Sequence, residues 1–510
     1  MPRTSTPALC FLSTVLSCSM AFAQPDPPEG GVASLPPRTI TLFTPTPTPD
    51  TAIPLKQATT FVAVRPDLAA AKSVREGDTL DLDVAAEVAI PVRVDRIVRR
   101  SPDQVSLIGS VPGAPFSSVI LVVEEDVLAG DIRVPSANQH YRMRYVADGV
   151  HLVCNIDDRR YGECGGAGPL PPNIPRGFDP SPDPEPEFEP PPGYTPRGAC
   201  SNIETTFDIM VVYTDIARAA AGGTNAIRAE IQLGCDTADQ TYDNSGVAAH
   251  YRLVWQGEVV YNESGALTDH RDRLANPADG YFDWAVTTRD DYNADLCAIW
   301  VDDDDAGQWC GFAYCDYDYD SAYCCVNWEC AAGNFSFPHE FGHDQGCAHN
   351  PEDAGSGCNE FSYSYGHRFF ASGNGYRTVM AYNDGGGNYT RIGYWSNPGV
   401  NFLGVATGTA TRDNARTLND TRGTVEGWET TRYDIWIDAD PSFPGIQFGT
   451  YAFPYDTAAE GFAAIEVPHS SVSGEMPYLH TVTGQYNYTG TVSRKMTIIP
   501  CSGSATIGTP

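Results

Sequence analysis

Short runs of alternating apolar and polar residues fill the chain from about Arg38 to Ile156, with Gly, Asp and Pro between them. The run from Ser117 to Val123 and the run from Tyr141 to Tyr145 are two examples. A period of two is typical of β-strands, because successive side chains point to opposite faces. The pattern therefore predicts a small β-rich domain.

Beyond Cys200 the pattern changes to apolar strand-type runs that alternate with segments of helical spacing. This order predicts an α/β layered domain. The predicted strands run from Phe207 to Tyr213, His250 to Tyr261 and Asp295 to Val301, and the predicted helices lie within 224–242, 267–290 and 413–428.

Proline marks the boundary between these two regions. Twelve of the twenty-eight residues from Pro169 to Pro196 are Pro, a composition that cannot bury a core. It predicts an extended linker, with Arg176 and Arg197 as candidate cleavage points.

The segment from Tyr433 onward returns to turn residues and short strand runs, such as Met496 to Ile499 and Ala505 to Gly508. It resembles the opening turn of a right-handed parallel β-helix, of which one turn alone buries little surface. Contact with cell-surface glycan and docking onto the rest of the chain both stay open for this module.

The first residues have the pattern of a secretory signal peptide. Arg3 precedes a mostly apolar stretch from Ala8 to Phe22, and Ala21-Phe22-Ala23 forms an A-x-A cleavage site. The stretch is too short and too polar for a permanent anchor, and no later segment offers about eighteen uninterrupted apolar residues. We expect a secreted monomer that does not insert into a membrane.

These boundaries predict five parts: a signal peptide (1–23), a β-rich domain (24–168), a Pro-rich linker (169–198), an α/β domain (199–430) and a small β module (431–510).

A formal charge of −33 on 510 residues argues against nucleic acid or anionic lipid as a partner, because phosphate binding needs clustered Lys and Arg. The acidic runs from Asp302 to Asp305 and from Asp316 to Asp320 raise Ca2+ as a second metal. Neither run has the Gly and closing Glu of an EF-hand, so a solvated loop is the favoured interpretation.

Cysteine is abundant. Two of the fifteen residues, Cys10 and Cys18, lie in the signal peptide, and ten of the others lie between Cys200 and Cys358. In an exported chain this density predicts disulfides, with the adjacent Cys324 and Cys325 facing different partners. The remaining thirteen are an odd number, so at least one thiol is left over.

The segment from His339 to His349 has the spacing of a catalytic zinc site. His339 and His343 are four residues apart and share one helix face, whereas Gly346 ends the helix and brings His349 round as a third ligand. Three imidazoles leave a fourth position for water, as in catalytic zinc sites. Glu340 is placed to act as the general base.

This string is the extended motif H-E-x-x-H-x-x-G-x-x-H, which resembles that of the metzincin peptidases. Met380, within Thr378 to Tyr382, lies where the Met-turn of that family would return beneath the metal. Further motifs are similar to the reprolysin-like peptidyl-Asp metalloendopeptidases. They are 334–337, 349–351, 377–383, 394–398 and 413–419.

The resemblance covers about 207–429 and implies a metzincin α/β fold, a zinc cofactor and hydrolysis of peptide bonds in proteins or peptides, with a preference for sites next to Asp. An acidic side chain needs a nearby cation, and Arg368, Arg377 and Arg391 are candidates, each weighed against a surface role. Asn350 after the third ligand makes astacins, adamalysins and serralysins poorer matches. Tyr382 has the spacing of a tyrosine that astacins and serralysins place on zinc or its oxyanion, with packing in the turn as the alternative.

The β-rich domain (24–168) precedes a cleavable linker and the catalytic domain (199–430), which predicts a zymogen with the β-rich domain as its propeptide. Tyr161 to Gly166 resembles the Cys-Gly element by which other metzincin propeptides place a thiolate on zinc, so Cys164 is a candidate latch. A disulfide between Cys154 and Cys164 is the alternative. The competing function is a secreted adhesion or binding protein that uses its C-terminal module, with the metal domain as a scaffold.

Overall fold

The structure is a computed structural model that describes most of the chain from Pro36 onward. The chain divides into Met1–Pro37 and Arg38–Pro510, and every described helix and strand lies in the second unit. The described residues are 36–50, 52–85, 88–175, 205–303, 308–355, 358–384, 389–429, 434–438, 455–464, 478–481, 484–486, 497–500 and 505–507. The predicted signal peptide, Arg176 and Arg197 lie outside them.

The N-terminal region forms one ten-stranded sheet, in the order β1-β4-β5-β6-β7-β8-β9-β10-β3-β2. All neighbouring pairs are antiparallel except β1 with β4. Its strands are Thr39–Thr41, Phe43–Pro45, Ala58–Pro66, Thr79–Ala85, Val88–Arg99, Gln104–Ser110, Ser118–Glu124, Val127–Val134, Gln139–Ala147 and Val150–Ile156 (β1–β10), and helix α1 is Leu68–Lys72. The predicted β-rich character is confirmed.

The middle region is an α/β layer with a five-stranded sheet in the order β12-β11-β13-β15-β14. Only the edge strand β14 is antiparallel to its neighbour. The strands are Thr205–Thr214, Ala249–Val259, Leu296–Val301, Gly311–Ala313 and Tyr323–Asn327 (β11–β15), and the helices are Asp215–Ala221, Thr224–Ser245, Leu267–Ala275, Trp284–Asp291, Trp328–Ala331 and Ser336–Asp344 (α2–α7). The predicted strand and helix types are confirmed here.

A smaller region follows α7, with a three-stranded sheet, a two-stranded hairpin and one long helix. Its elements are Arg368–Ala371, Asn374–Arg377, Tyr389–Arg391, Asn401–Phe402 and Val405–Ala406 (β16–β20) and Asn414–Glu426 (α8). The C-terminal segment pairs its strands in parallel, as β21-β22-β24 and β23-β25. These are Asp434–Ile437, Tyr478–Thr481, Gly484–Tyr486, Thr497–Pro500 and Ala505–Ile507 (β21–β25), with α9 at Ala458–Ala464.

Helix α3 lies between the two sheets and packs against β7 and β8. This explains why β7 is apolar on both faces: Ile120 and Val122 join the core around α3, whereas Val119 and Leu121 join the core of the N-terminal sheet. Buried charges also cross this interface. Arg142 of β9 pairs with Glu230 of α3, and Arg100 Nη2 is 2.6 Å from Asp236 Oδ1.

The disulfides predicted from the cysteine content are confirmed in part. The described residues contain two disulfides, Cys310–Cys330 and Cys315–Cys358. Cys324 and Cys325 are buried in β15, form no disulfide and face opposite cores, because neighbouring strand residues alternate between faces. Much of the cysteine content therefore fills apolar core, a role that small, weakly polar thiols perform well.

The start of the predicted linker is also less exposed than expected. Leu170 and Ile174 are buried among apolar residues of the α/β layer, and Leu170 N donates to Asp316 Oδ2 at 2.8 Å. The apolar side chains between the prolines allow this stretch to pack against the core. No helix in the described part of the chain is long and apolar enough to cross a membrane.

Replacing Arg142 by Met tests how firmly the N-terminal sheet is fixed to α3. Burial raises the pKa of Glu230 and Arg142 opposes this shift, so the variant leaves an uncompensated buried carboxylate. We expect a loss of about 3–5 kcal/mol in the free energy of urea unfolding. The double variant Arg142→Met/Glu230→Leu should recover most of it; a single variant as stable as the parent contradicts the assignment.

Candidate active site

Helix α7 carries three of the predicted site residues, His339, Glu340 and His343, all buried. The helix ends at Asp344, and Gly346 has a φ of +89°, a left-handed conformation that glycine adopts cheaply. The turn closes with Gly346 N donating to His343 O at 2.9 Å and Cys347 N donating to Gly342 O at 2.8 Å. The prediction that Gly346 ends the helix and redirects the chain is confirmed.

The three imidazoles converge on one point. His349 Nε2 lies 3.2 Å from His339 Nε2 and 2.9 Å from His343 Nε2. Tetrahedral ligands at about 2.0–2.1 Å from zinc stand about 3.3 Å apart, so the spacing fits one zinc ion. Burial lowers the pKa of each ring, to about 4 for His343, which keeps the imidazoles neutral as metal ligands must be.

Backbone carbonyls orient two of these rings through their other nitrogen. His339 Nδ1 donates to Val379 O at 2.8 Å, and His343 Nδ1 donates to Cys347 O at 2.9 Å. Such bonds fix the tautomer and leave Nε2 for the metal. Val379 directly precedes Met380, so the turn predicted beneath the metal holds the first histidine.

Met380 is fully buried under α7. A Cβ placed on Gly342 would lie 2.9 Å from Met380 Sδ and 2.7 Å from a ring carbon of Trp395. Glycine at this motif position lets the turn approach the helix closely.

Glu340 lies beneath the edge strand β14. A Cβ on Gly311 would lie 2.6 Å from Glu340 Oε1, so glycine in that strand makes room for the carboxylate. The carboxylate oxygens make no conventional hydrogen bond within the described residues. Burial raises the pKa of Glu340 to about 8, and the thiol of Cys164 and the charge of Arg391 oppose this rise.

The segment from Tyr161 to Gly168, which we call the cover segment, lies along β14. Cys310 N donates to Glu163 O at 2.8 Å, and Gly165 N donates to Gly311 O at 2.7 Å. Glu163 and Gly168 form parallel bridges with Trp309 and Tyr314. The cover segment therefore acts as an added strand on the edge above Glu340.

Cys164 is the innermost residue of the cover segment, and its side chain is fully buried. Its Sγ lies within 4.8 Å of ligand atoms of His339 and Glu340, but does not group with His343 and His349 at that limit. The thiol also contacts Ser336 Oγ at 3.3 Å. Cys154 and Cys164 both remain unbridged thiols, so the alternative disulfide between them is not formed.

Tyr382 stands between the third histidine and the cover segment. Its ring centroid is 3.8 Å from that of His349, and its hydroxyl donates to the carbonyl of Cys164. Asn350 Oδ1 accepts a hydrogen bond from Tyr382 N at 2.9 Å and so ties the turn to the residue after His349.

Two of the three candidate arginines prove to be buried rather than on the surface. Arg377 and Arg391 are each 5% exposed. Arg377 Nη1 is 2.5 Å and Arg391 Nη2 is 3.4 Å from Glu163 Oε2. The sequence analysis gave Glu163, Asn350 and Ser336 no role in the site, because each takes its place there through contacts with residues distant in the chain.

The acidic runs do not add a second metal site among the described residues. The groups of three or more metal-ligating side chains found there are His339/His343/His349 and Cys164/His339/Glu340. Asp304 and Asp305 lie outside the described residues.

A buried three-histidine centre built on a helix and the turn that follows it, with a methionine turn beneath it and an α/β layer above it, defines a zinc metallopeptidase. Residues 204–396 match the Reprolysin_5 model, described as metallo-peptidase family M12.

Two relatives identify the family within this class of enzymes. The chain is 33% identical over 315 residues to a peptidyl-Asp metalloendopeptidase of Xanthomonas campestris pv. campestris, covering 61% of this chain and 70% of the relative. It is 32% identical over 320 residues to the enzyme of that name from Stenotrophomonas maltophilia, with the same coverage. The chain therefore belongs to the peptidyl-Asp metalloendopeptidase family.

Among solved structures, the chain is similar to metalloproteinase-II from Bacteroides fragilis at 10% identity and a TM-score of 0.34, covering 56% of this chain and 86% of that one. That similarity is too low to support an argument. Together the family model and the relatives show a zinc metalloendopeptidase.

Proposed function

We propose that the chain is a secreted endopeptidase, made as a latent precursor, in which His339, His343 and His349 hold zinc and Glu340 is the general base. The convergence of three buried Nε2 atoms beside a buried carboxylate carries this proposal. Secretion is supported by the two disulfides, which persist in oxidising compartments.

Zinc, when bound, supplies Lewis-acid activation of water and of the scissile carbonyl. Glu340 accepts the proton of the attacking water and then delivers it to the leaving amine. Burial beneath β14 suits this task, because an apolar setting raises the proton affinity of the carboxylate. The edge of β14 orients an extended substrate through backbone hydrogen bonds, as it now orients the cover segment.

Tyr382 is proposed to donate a hydrogen bond to the carbonyl oxygen of the scissile peptide. Its hydroxyl already donates to a peptide carbonyl, that of Cys164, beside the histidines. A donor in this position stabilises the oxyanion that develops during attack.

Latency is proposed to come from the cover segment, with Cys164 as the latch. The segment occupies the edge of β14, excludes substrate and water from Glu340, and places Sγ beside His339 and Glu340. Burial and the nearby Glu340 raise the pKa of the thiol to about 12. A metal cation lowers the pKa of an adjacent thiol, so bound zinc would favour the deprotonated thiolate form of Cys164. Cleavage in the linker after it would then release the segment.

A preference for sites next to Asp is proposed from the name of the relatives, which are peptidyl-Asp metalloendopeptidases.

The variant Glu340→Gln tests the assignment of the base. It keeps the size of the side chain but cannot accept a proton, so kcat for a quenched fluorescent peptide should fall by about 10²- to 10⁴-fold. Bound zinc, measured by mass spectrometry of metals, should stay near one per chain. His349→Ala is the matched control, which should lose zinc; near-normal turnover by Glu340→Gln would rule out its role.

The variant Cys164→Ser tests the latch. With the linker intact on a gel, this precursor should cleave the same peptide faster than the parent by about tenfold or more, which corresponds to closure weakened by about 1.4 kcal/mol. Cys154→Ser is the control, because it removes another buried thiol that does not group with the histidines or Glu340. A Cys164→Ser precursor as inactive as the parent contradicts the latch.

A further inference from the structure

Arg377 and Arg391 form a buried cationic pair beside the histidines. They are register partners in the parallel strands β17 and β18, and Arg391 Nη1 is 3.6 Å from Cys164 Sγ. Two adjacent guanidinium groups away from water repel each other. Burial and the neighbouring Arg391 lower the pKa of Arg377 to about 10.

Neutral carbonyls hold each guanidinium in place without balancing its charge. Arg377 Nη1 donates to Ala381 O at 3.1 Å, and Arg391 Nη1 donates to Asn334 O at 3.0 Å. The carboxylate that pairs with both arginines is Glu163, and no other ion pair involves either arginine among the described residues.

Glu163 belongs to the cover segment and not to the α/β layer. When that segment leaves, the cationic pair stays behind without its carboxylate. Two adjacent cations that lose their shared carboxylate repel each other, so the vacated position favours a new anion. Planar guanidinium forks match the geometry of a carboxylate.

The edge strand β14 fixes the position of the arginine pair relative to the zinc-binding histidines and Glu340. Glu163 directly precedes Cys164 in the cover segment along β14, and Cys164 Sγ is within 4.8 Å of ligand atoms of His339 and Glu340. A residue that neighbours the reacting position on this edge therefore directs its side chain to Arg377 and Arg391.

We propose that Arg377 and Arg391 are the specificity-determining residues that bind an acidic side chain next to the scissile bond, and that Glu163 fills their site in the precursor as a built-in stand-in for it. The proposal rests on the endopeptidase function proposed above. The cover segment then resembles the substrate in two ways: its backbone pairs with β14, and the side chain of Glu163 takes the place of the acidic side chain of the substrate.

The test compares two peptides that differ only in Asp or Asn beside the cut, using enzyme prepared from the full-length precursor after processing. The measured quantity is the Asp/Asn ratio of kcat/KM within one preparation, which does not depend on the folded fraction. Arg377→Gln and Arg391→Gln should lower this ratio by about ten- to a hundredfold while the Asn peptide is still cut. Arg377→Lys keeps the charge but loses the fork, so its ratio should be intermediate.

Arg368→Gln is the matched control. Arg368 is the cross-strand partner of Arg377 on β16, but its charge is balanced by Glu352 at 3.6 Å and Asp353 at 3.4 Å. Its Asp/Asn ratio should stay within about twofold of the parent.

Binding of the cover segment gives a second readout that needs no turnover. Fluorescent peptides covering Tyr161 to Gly168, with Cys164→Ser to remove the thiol, are titrated into processed enzyme with and without Glu163→Gln. The Glu163→Gln change should weaken binding to the parent by about tenfold or more and have a clearly smaller effect on Arg377→Gln enzyme, in which Glu163 keeps only its longer contact with Arg391.

The two experiments distinguish a failure of the proposed endopeptidase function from a failure of the proposed arginine site. Parent enzyme that cuts neither peptide, while the coupling between Glu163 and Arg377 is seen, removes the proposed function but keeps the arginine pair as an acid-binding site. An equal rate on both peptides, or a ratio unchanged in both arginine variants, overturns the inference even when the endopeptidase function stands.

Discussion

Three imidazole nitrogens must meet within about 3.3 Å of one another for zinc to bind, and this constraint governs the layout of the site. Helix α7 supplies two rings one turn apart, and the left-handed turn at Gly346 supplies the third. The approach of Met380 beneath Gly342 and the carbonyls of Val379 and Cys347 then fix the rings. The α/β layer and the segment after α7 thus supply the contacts that fix the geometry of the ligands.

The buried charged groups of the site need partners in place of water, and the cover segment supplies them. Glu340 and the pair Arg377 and Arg391 are poorly solvated, and the residues that face them are Cys164 and Glu163, neighbours on one added strand. The N-terminal sheet holds that strand in place by packing on α3 through apolar and charged contacts. Closing the site and balancing its charges are therefore one structural event.

The zinc motif could be predicted from sequence because its chemistry depends on local spacing: i to i+4 on a helix, then a glycine turn. Strands such as β11 and β13 could also be predicted from the sequence, since continuous apolar runs predict buried strands. Cysteine count was misleading, because Cys324 and Cys325 fill core on opposite faces of one strand and a composition cannot distinguish a thiol from half a disulfide. The pairing of Glu163 with Arg377 joins residues far apart in the chain, so spacing carried no signal for it.

Zinc K-edge absorption spectroscopy, compared between the precursor and the processed enzyme, tests the central claim most directly. We predict three imidazole nitrogens in both forms, and in the precursor one additional sulfur at about 2.3 Å that an oxygen replaces after processing. Fewer than three imidazoles, or a precursor shell without sulfur, would contradict it.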